Sequence, residues 1–461
     1  MAHSRSRMVI FHFTIQKVHA SVFVELNISK PYLPIVNKGR FYFIPERSCR
    51  GLSEGTVQVD FLVIGGGIGG LTAALAVAQS GRHVTVLEQA PQFSEIGAGL
   101  QLAPNAMRVL HRLGLYESIA DFAWFPKRLV LMNARNAREL SALDLGDAYR
   151  ARYGFPYAVM HRADLLNLLV RACQSSGQVT LLADQEVVST DPSSDGVKVT
   201  VKGGTTYVAK VAIGADGLWS QTRKRLSDDE PVTAHYVAYR GTIPIGEIAD
   251  YARMDDVVMW IGPGMHFVQY PVRRGELYNQ VAVFESRRFK PDSDDWGTPE
   301  ELDEAYSVCC PQVQHAAKFM QRHRRWPMID RLPIPNWVNG RLALLGDAAH
   351  PMLQYIAQGA CQAIEDGAAL AAEIDRDASD LDSALHRYEA RRTVRSASIQ
   401  NAARTFGQII HTDDPTASLL RDSLLTTRAA DDYRFVDWIY AHDATTGHSV
   451  LSDEAPVKIR R

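Results

Sequence analysis

The chain has 461 residues, with 50 Lys plus Arg against 52 Asp plus Glu. That length can furnish two or three domains and a large core, and the near-neutral balance gives no sign of nucleic acid or an acidic surface as partner. The five cysteines, Cys49, Cys173, Cys309, Cys310 and Cys361, form no C-x-x-C. This argues against a disulfide framework or metal site and for a reducing, cytoplasmic setting. No stretch reaches the roughly 18 apolar residues of a membrane span.

Residues 1–56 stand apart, with eight Lys/Arg against three acidic residues and prolines at 31, 34 and 45. Val9-Ile10-Phe11 is too short for a signal-peptide core. The stretch reads as a targeting extension or as sequence upstream of a misplaced start, and little fixed structure is expected there.

An apolar run from Val57 to Ile64 empties into Gly65-Gly66-Gly67-Ile68-Gly69-Gly70, and a helical pattern follows from Leu71. Strand, tight turn and helix in that order make a dinucleotide site whose helix N-terminus faces a pyrophosphate. Gly65 permits the turn, Gly67 lets the backbone approach phosphate, and Gly70 lets helix and strand pack closely. The next strand, 83–87, ends in Glu88, about twenty residues on, where a carboxylate can accept ribose hydroxyls.

In Ile96-Gly97-Ala98-Gly99, glycine allows backbone to lie against a flat ring. A helix is expected from Pro104 to Leu113, and another from His161, after a strand-like 157–160. Arg162 at its start reads either as a solvated charge or as a cofactor contact. Strands near 179–182, 187–188, 197–202 and 207–213 then lead to Gly214-Ala215-Asp216-Gly217. Asp216 there is either an Asx-type turn residue or a carboxylate offered to a ligand.

From 232 to 285 the pattern changes to a meander, with strands at 233–245, 257–261, 267–272 and 277–284. Alternation puts His235, Val237 and Tyr239 on one face of the first strand, and Tyr236, Ala238 and Arg240 on the other. A strand histidine commonly serves packing or a rim; with Tyr239 it can also flank an aromatic ring. A helix is expected over 301–325, then a proline-rich return at 326–335. The buried run Arg341 to Leu345 ends in Gly346-Asp347-Ala348-Ala349-His350-Pro351, which places Asp347 at a strand's carboxyl edge, where open α/β sheets bind ligands. Gly359 and Ala360 open a long helix whose first amides suit negative charge. Glu365 and Asp366, one turn inside, read as hydrogen-bonded structure. Helices near 381–410 and 415–425 and an aromatic stretch at 432–440 close the chain as a packing or subunit-contact element.

Together the 65–70, 214–217 and 345–351 motifs resemble those of the single-component FAD-dependent aromatic hydroxylases, over nearly everything from 57 onward. The resemblance implies an α/β fold: a Rossmann-like FAD-binding domain at 57–231 and 326–390, an inserted, mainly antiparallel β-sheet substrate domain at 232–325, and a helical C-terminal segment at 391–461. It implies FAD held by Gly65, Gly67, Gly70, Glu88, Gly99, Arg162, Asp216 and Asp347, with Gly359 and Ala360 facing charge on the reduced ring. NADH or NADPH and O2 are the implied co-substrates; the apolar C-terminal stretch makes a homodimer the expected assembly.

His235 to Gly241, Met352-Leu353-Gln354-Tyr355 and Tyr433 to Trp438 are similar to the branch that hydroxylates 3-hydroxybenzoate para to its phenol, giving gentisate. In that branch the phenol is handled by residues matching His235 and Gln354, and the ring is positioned by one matching Tyr239. An electrophilic flavin–oxygen species needs an electron-rich ring, which phenol deprotonation provides; a base with a pKa near neutrality suits that step. A related hydroxylase of salicylate or 6-hydroxynicotinate, and a non-oxygenating FAD-binding protein, are the competing readings.

Overall fold

The structure, a computed structural model, describes residues 32–37, 40–45, 55–94, 98–248, 252–290, 293 and 295–451. The expectation for 1–56 falls largely outside these residues, as do Gly97 and Cys49. Within that segment the backbone forms an antiparallel hairpin, Tyr32–Asn37 with Arg40–Pro45. It belongs to a unit ending at Glu54; the rest of the chain forms a second unit.

In the second unit, Thr56–Ile64 pairs in parallel with Thr206–Gly214 on one side and Val84–Leu87 on the other. Val179–Leu182 extends the sheet beyond Val84–Leu87, and Leu342–Leu344 joins the carboxyl end of Thr206–Gly214. The antiparallel strands Val187–Pro192 and Val197–Val201, and the short Val338–Asn339 beside Leu342–Leu344, complete it. The central strands are apolar without alternation because both faces are covered. Ile68–Ala78, Arg162–Ser176 and Gly359–Arg376 supply helical cover.

A second sheet of seven strands runs in the order Trp326–Asp330, Val232–Pro244, Leu277–Glu285, Met265–Val272, Asp256–Gly262, Arg128–Asn133 and Glu139–Asp144. It therefore recruits strands from outside 232–325. Arg128–Asn133 runs parallel to Asp256–Gly262 and brings Glu139–Asp144 with it. Trp326–Asp330, read from sequence as an irregular return, is an edge strand, where Pro327 removes a donor the sheet does not need.

The helix expected over 301–325 is two short ones, Pro299–Tyr306 and Pro311–Ala317. Pro311 has no N–H and cannot continue the first helix, and Thr298 and Glu301 close a capping box at its start. These helices cover one face of the second sheet, over a core that includes Val237, Tyr239, Phe267, Phe284 and Tyr306. The other face, with Ala238, Val268, Tyr270, Val281 and Val283, joins the core of the nucleotide-binding half. The tail consists of Leu381–His411, Pro415–Thr426, Asp437–Tyr440 and a small pair, His442–Asp443 with His448–Ser449.

Candidate active site

Three neighbouring strands of the first sheet deliver the three motifs to one edge. Gly65 follows Thr56–Ile64, Ala215 and Asp216 follow Thr206–Gly214, and Asp347 follows Leu342–Leu344. Gly65 has φ +109°, and a Cβ there would stand 2.2 Å from the Ala215 carbonyl oxygen. A Cβ on Gly70 would meet the Gly65 oxygen at 2.1 Å, so helix and turn pack too closely for a side chain. At Gly67 a Cβ would meet nothing within 4 Å. That open side lies where Ile68–Ala78 begins, with no side chain capping its first amides. The amides fit a pyrophosphate.

Glu88 reaches back to this turn: its Oε2 accepts the Gly66 N–H at 2.7 Å and its Oε1 the Ala90 N–H at 2.9 Å. Asp347 is exposed and has no hydrogen-bond partner among the described residues, so its carboxylate is open to a hydroxylated chain. Asp216 differs. Its oxygens accept from Ser220 Oγ, Thr222 N and Thr222 Oγ1 at 2.5–3.0 Å, which makes it the organiser of its own turn. Gly99 N donates to Asn279 Oδ1 at 2.6 Å, and a Cβ there would strike Asn279 and the Tyr270 ring, so protein fills the side its missing methyl leaves open. Arg162 opens its helix with its backbone N–H on Ala98 O. Gly359 and Ala360 begin Gly359–Arg376, preceded by the buried Gln358.

Gln354, seven residues beyond Asp347, meets a patch of the second sheet whose layout follows from register. Arg240 lies opposite Val281, and Val281 opposite Val268. One row along, Ala238, Val283 and His266 are partners; one row the other way, Thr242, Asn279 and Tyr270. Ala238, Val281, Val283 and Val268 thus form an apolar floor bordered by Arg240, His266, Tyr270 and Asn279. Gln354 closes one side: its Oε1 accepts from Arg240 Nη2 at 3.2 Å. The Arg240 guanidinium also lies 5.3 Å from the centre of the Trp326 ring.

The expected meeting of His235 and Tyr239 with Gln354 does not occur. Tyr239 is 1% exposed on the opposite face, where its hydroxyl donates to Gly297 O at 2.7 Å. His235, at φ +62° beside a register shift, stacks on Phe289 with 4.2 Å between ring centres, next to Trp296. Alternation correctly says which residues share a face. It does not say which face meets the ligand, and here both faces are buried.

The family described as FAD binding domain matches residues 58–403. A 3-hydroxybenzoate 6-hydroxylase of Aquipseudomonas alcaligenes is 36% identical over 389 residues, 83% of this chain and 98% of that protein. The chain belongs to the FAD-dependent aromatic hydroxylase family. Another hydroxylase of similar sequence, a 3-amino-4-hydroxybenzoate 2-monooxygenase of Streptomyces platensis, is 34% identical over 83% of this chain and 96% of its own length. Klebsiella pneumoniae HpxO, solved with FAD and uric acid, matches with a TM-score of 0.74 at 26% identity, covering 84% of this chain and 97% of that one.

A buried ionic network in this hydroxylase anchors the loop that carries Asp347. Arg392 donates to Glu365 and to Asp366, each at 2.6 Å; Arg395 adds two bonds to Glu365 at 2.7 Å; and Asp366 also accepts from Gly346 N and pairs with His350. Burial alone would raise the Glu365 carboxyl, but Arg395 and Arg392 outweigh it and hold it far below the usual carboxylate range. The network ties the loop carrying Asp347 to both long helices. Sequence reading placed Glu365 and Asp366 in structure but missed their arginines, which lie 26 to 30 residues away. It also missed Arg240, although an arginine inside a buried strand is itself unusual enough to mark.

Proposed function

We propose that this hydroxylase converts 3-hydroxybenzoate to gentisate, using NADH or NADPH and O2. The observation that carries the reading is the Arg240–Gln354 contact beside an apolar floor, with Gln354 seven residues beyond Asp347. Bound FAD supplies the reduction of O2 and delivers one oxygen atom as an electrophile. The chain has to bind an anionic ring, keep water away and make the ring electron-rich.

Arg240 attracts an anionic ring oxygen, and a positive charge beside a phenol favours its ionised form. Ionisation, with the phenol proton passing to solvent water as the acid binds, raises electron density at the ortho and para carbons. The Gln354 oxygen is taken by Arg240, which leaves the Nε2 hydrogens to donate to the same ring oxygen. The valine floor packs against the ring and excludes solvent from the reacting carbon. A homodimer belongs to the same reading, supported by the exposed Leu419, Leu420 and Leu424 on Pro415–Thr426.

The test is NADH and NADPH oxidation by purified, FAD-loaded protein offered 3-hydroxybenzoate, salicylate and 6-hydroxynicotinate, with products identified by chromatography. Gentisate from 3-hydroxybenzoate, formed with stimulated oxidation, is the expected result. Faster turnover of either other acid moves the protein to a sister activity. No oxygenated product from any of the three leaves a flavoprotein of another class.

A further inference from the structure

The helix Leu381–His411 reads from sequence as part of a packing or subunit-contact element, yet it grips the loop that presents Gln354. Along Leu381–His411 the buried residues Gln400, Ala403, Gly407, Ile410 and His411 recur at i, i+3, i+7, i+10 and i+11, one continuous face. Three of them act on residues 351–356. Gln400, 1% exposed, donates from Nε2 to the Pro351 carbonyl at 2.9 Å and to the Arg331 carbonyl at 3.1 Å. It thereby pins the start of the loop.

Gly407 leaves room for the Tyr355 ring: a Cβ there would stand 2.4 Å from both Cδ2 and Cε2. His411 meets the same ring edge-on, with 5.1 Å between centres and planes at 89°. His411 is itself fixed. Its Nε2 lies 2.7 Å from His266 Nδ1, and its ring stacks on Tyr236. Tyr355 is therefore held between the helix and the site-facing side of the second sheet, and Gln354 precedes it directly.

We propose that Gln400, Gly407 and His411 are positioning residues that set Gln354 against Arg240 and the aromatic acid. They touch the loop, not the reacting atoms. The proposal deepens the hydroxylase reading and rests on it for the substrate, but the geometry of the loop can be tested without one.

Gly407→Ala and Gln400→Leu are compared with the parent as FAD-loaded protein. Three quantities are measured: amide hydrogen exchange over residues 352–357 with no aromatic acid present, the KM for 3-hydroxybenzoate, and product formed per NAD(P)H consumed. Each variant should raise exchange over 352–357 several-fold, raise KM and lower the product ratio at least threefold, with bound FAD close to the parent and a lowered thermal midpoint, from the contact with Tyr355 in Gly407→Ala and from the two carbonyls left unpaired in Gln400→Leu. Unchanged exchange overturns the proposal, and so does raised exchange with unchanged KM and product ratio. Should Gly407→Ala fail to fold, Gln400→Leu, which removes two hydrogen bonds without adding bulk, decides alone. If the parent hydroxylates none of the acids, the functional reading falls, and exchange over 352–357 still decides whether the helix sets the loop.

Discussion

Arg240 Nη2 donates to Gln354 Oε1 across 3.2 Å, joining the long strand Val232–Pro244 of the second sheet to the loop that follows Asp347. The two side chains come from different halves of the fold and meet where the second sheet packs against the nucleotide-binding half. Substrate affinity should be sensitive to either partner.

If Arg240 binds the aromatic acid as proposed, Arg240→Met removes a charge-assisted contact worth about 1.5–3 kcal/mol. The KM or Kd for the aromatic acid should rise roughly 10- to 150-fold while FAD stays bound. Calorimetric titration of the FAD-loaded protein checks this, and an unchanged affinity would place the acid elsewhere.

Gly67 and Gly70 should fail differently. Gly67→Ala meets no protein atom within 4 Å and should fold normally, yet its methyl intrudes where phosphate approaches, weakening FAD by roughly tenfold or more. Gly70→Ala strikes the Gly65 oxygen and should lower the thermal midpoint of the FAD-free protein. Equal loss of stability in both would remove the distinction.

Tyr239→Phe removes one buried hydrogen bond, to Gly297 O, and should cost about 1 kcal/mol of stability while hydroxylation stays near the parent rate. His235→Ala should likewise leave the rate intact. A large loss of turnover in either, with normal folding, would show that this face reaches the substrate after all.

These contrasts mark what was legible in the sequence. The turn at Gly65 and the close packing at Gly70 could be read locally because turn and helix start occupy six consecutive residues. Period-two alternation correctly grouped Val237 with Tyr239 and Ala238 with Arg240. The choice of face was not legible, because helices cover one side of the sheet and the nucleotide-binding half the other, so both sides are apolar. Arg392, Gln400 and His411 act on partners distant in the chain, and no local pattern announces such contacts. Pro311 did announce the break between the two short helices and was outweighed by the helical pattern around it.

Burial pushes the His411 and His442 imidazoles down to about 3, and burial, with His411 beside it, carries His266 well below its ordinary value. Each binds a proton more weakly folded than unfolded, where the pKa is about 6.5. Their neutral, buried state therefore adds stability that is full above that value and is lost as pH falls towards 3. The thermal midpoint should drop between pH 7 and pH 5, with net proton uptake on unfolding at pH 5. A flat midpoint across that interval would contradict the burial of these rings.

The most direct measurement is turnover of 3-hydroxybenzoate by the FAD-loaded protein under 18O2, with the product resolved by mass and by ring position. The account predicts gentisate carrying one heavy oxygen, at the carbon para to the original phenol. NAD(P)H consumption with no labelled aromatic product, from a protein that holds FAD and binds the acid, would contradict it.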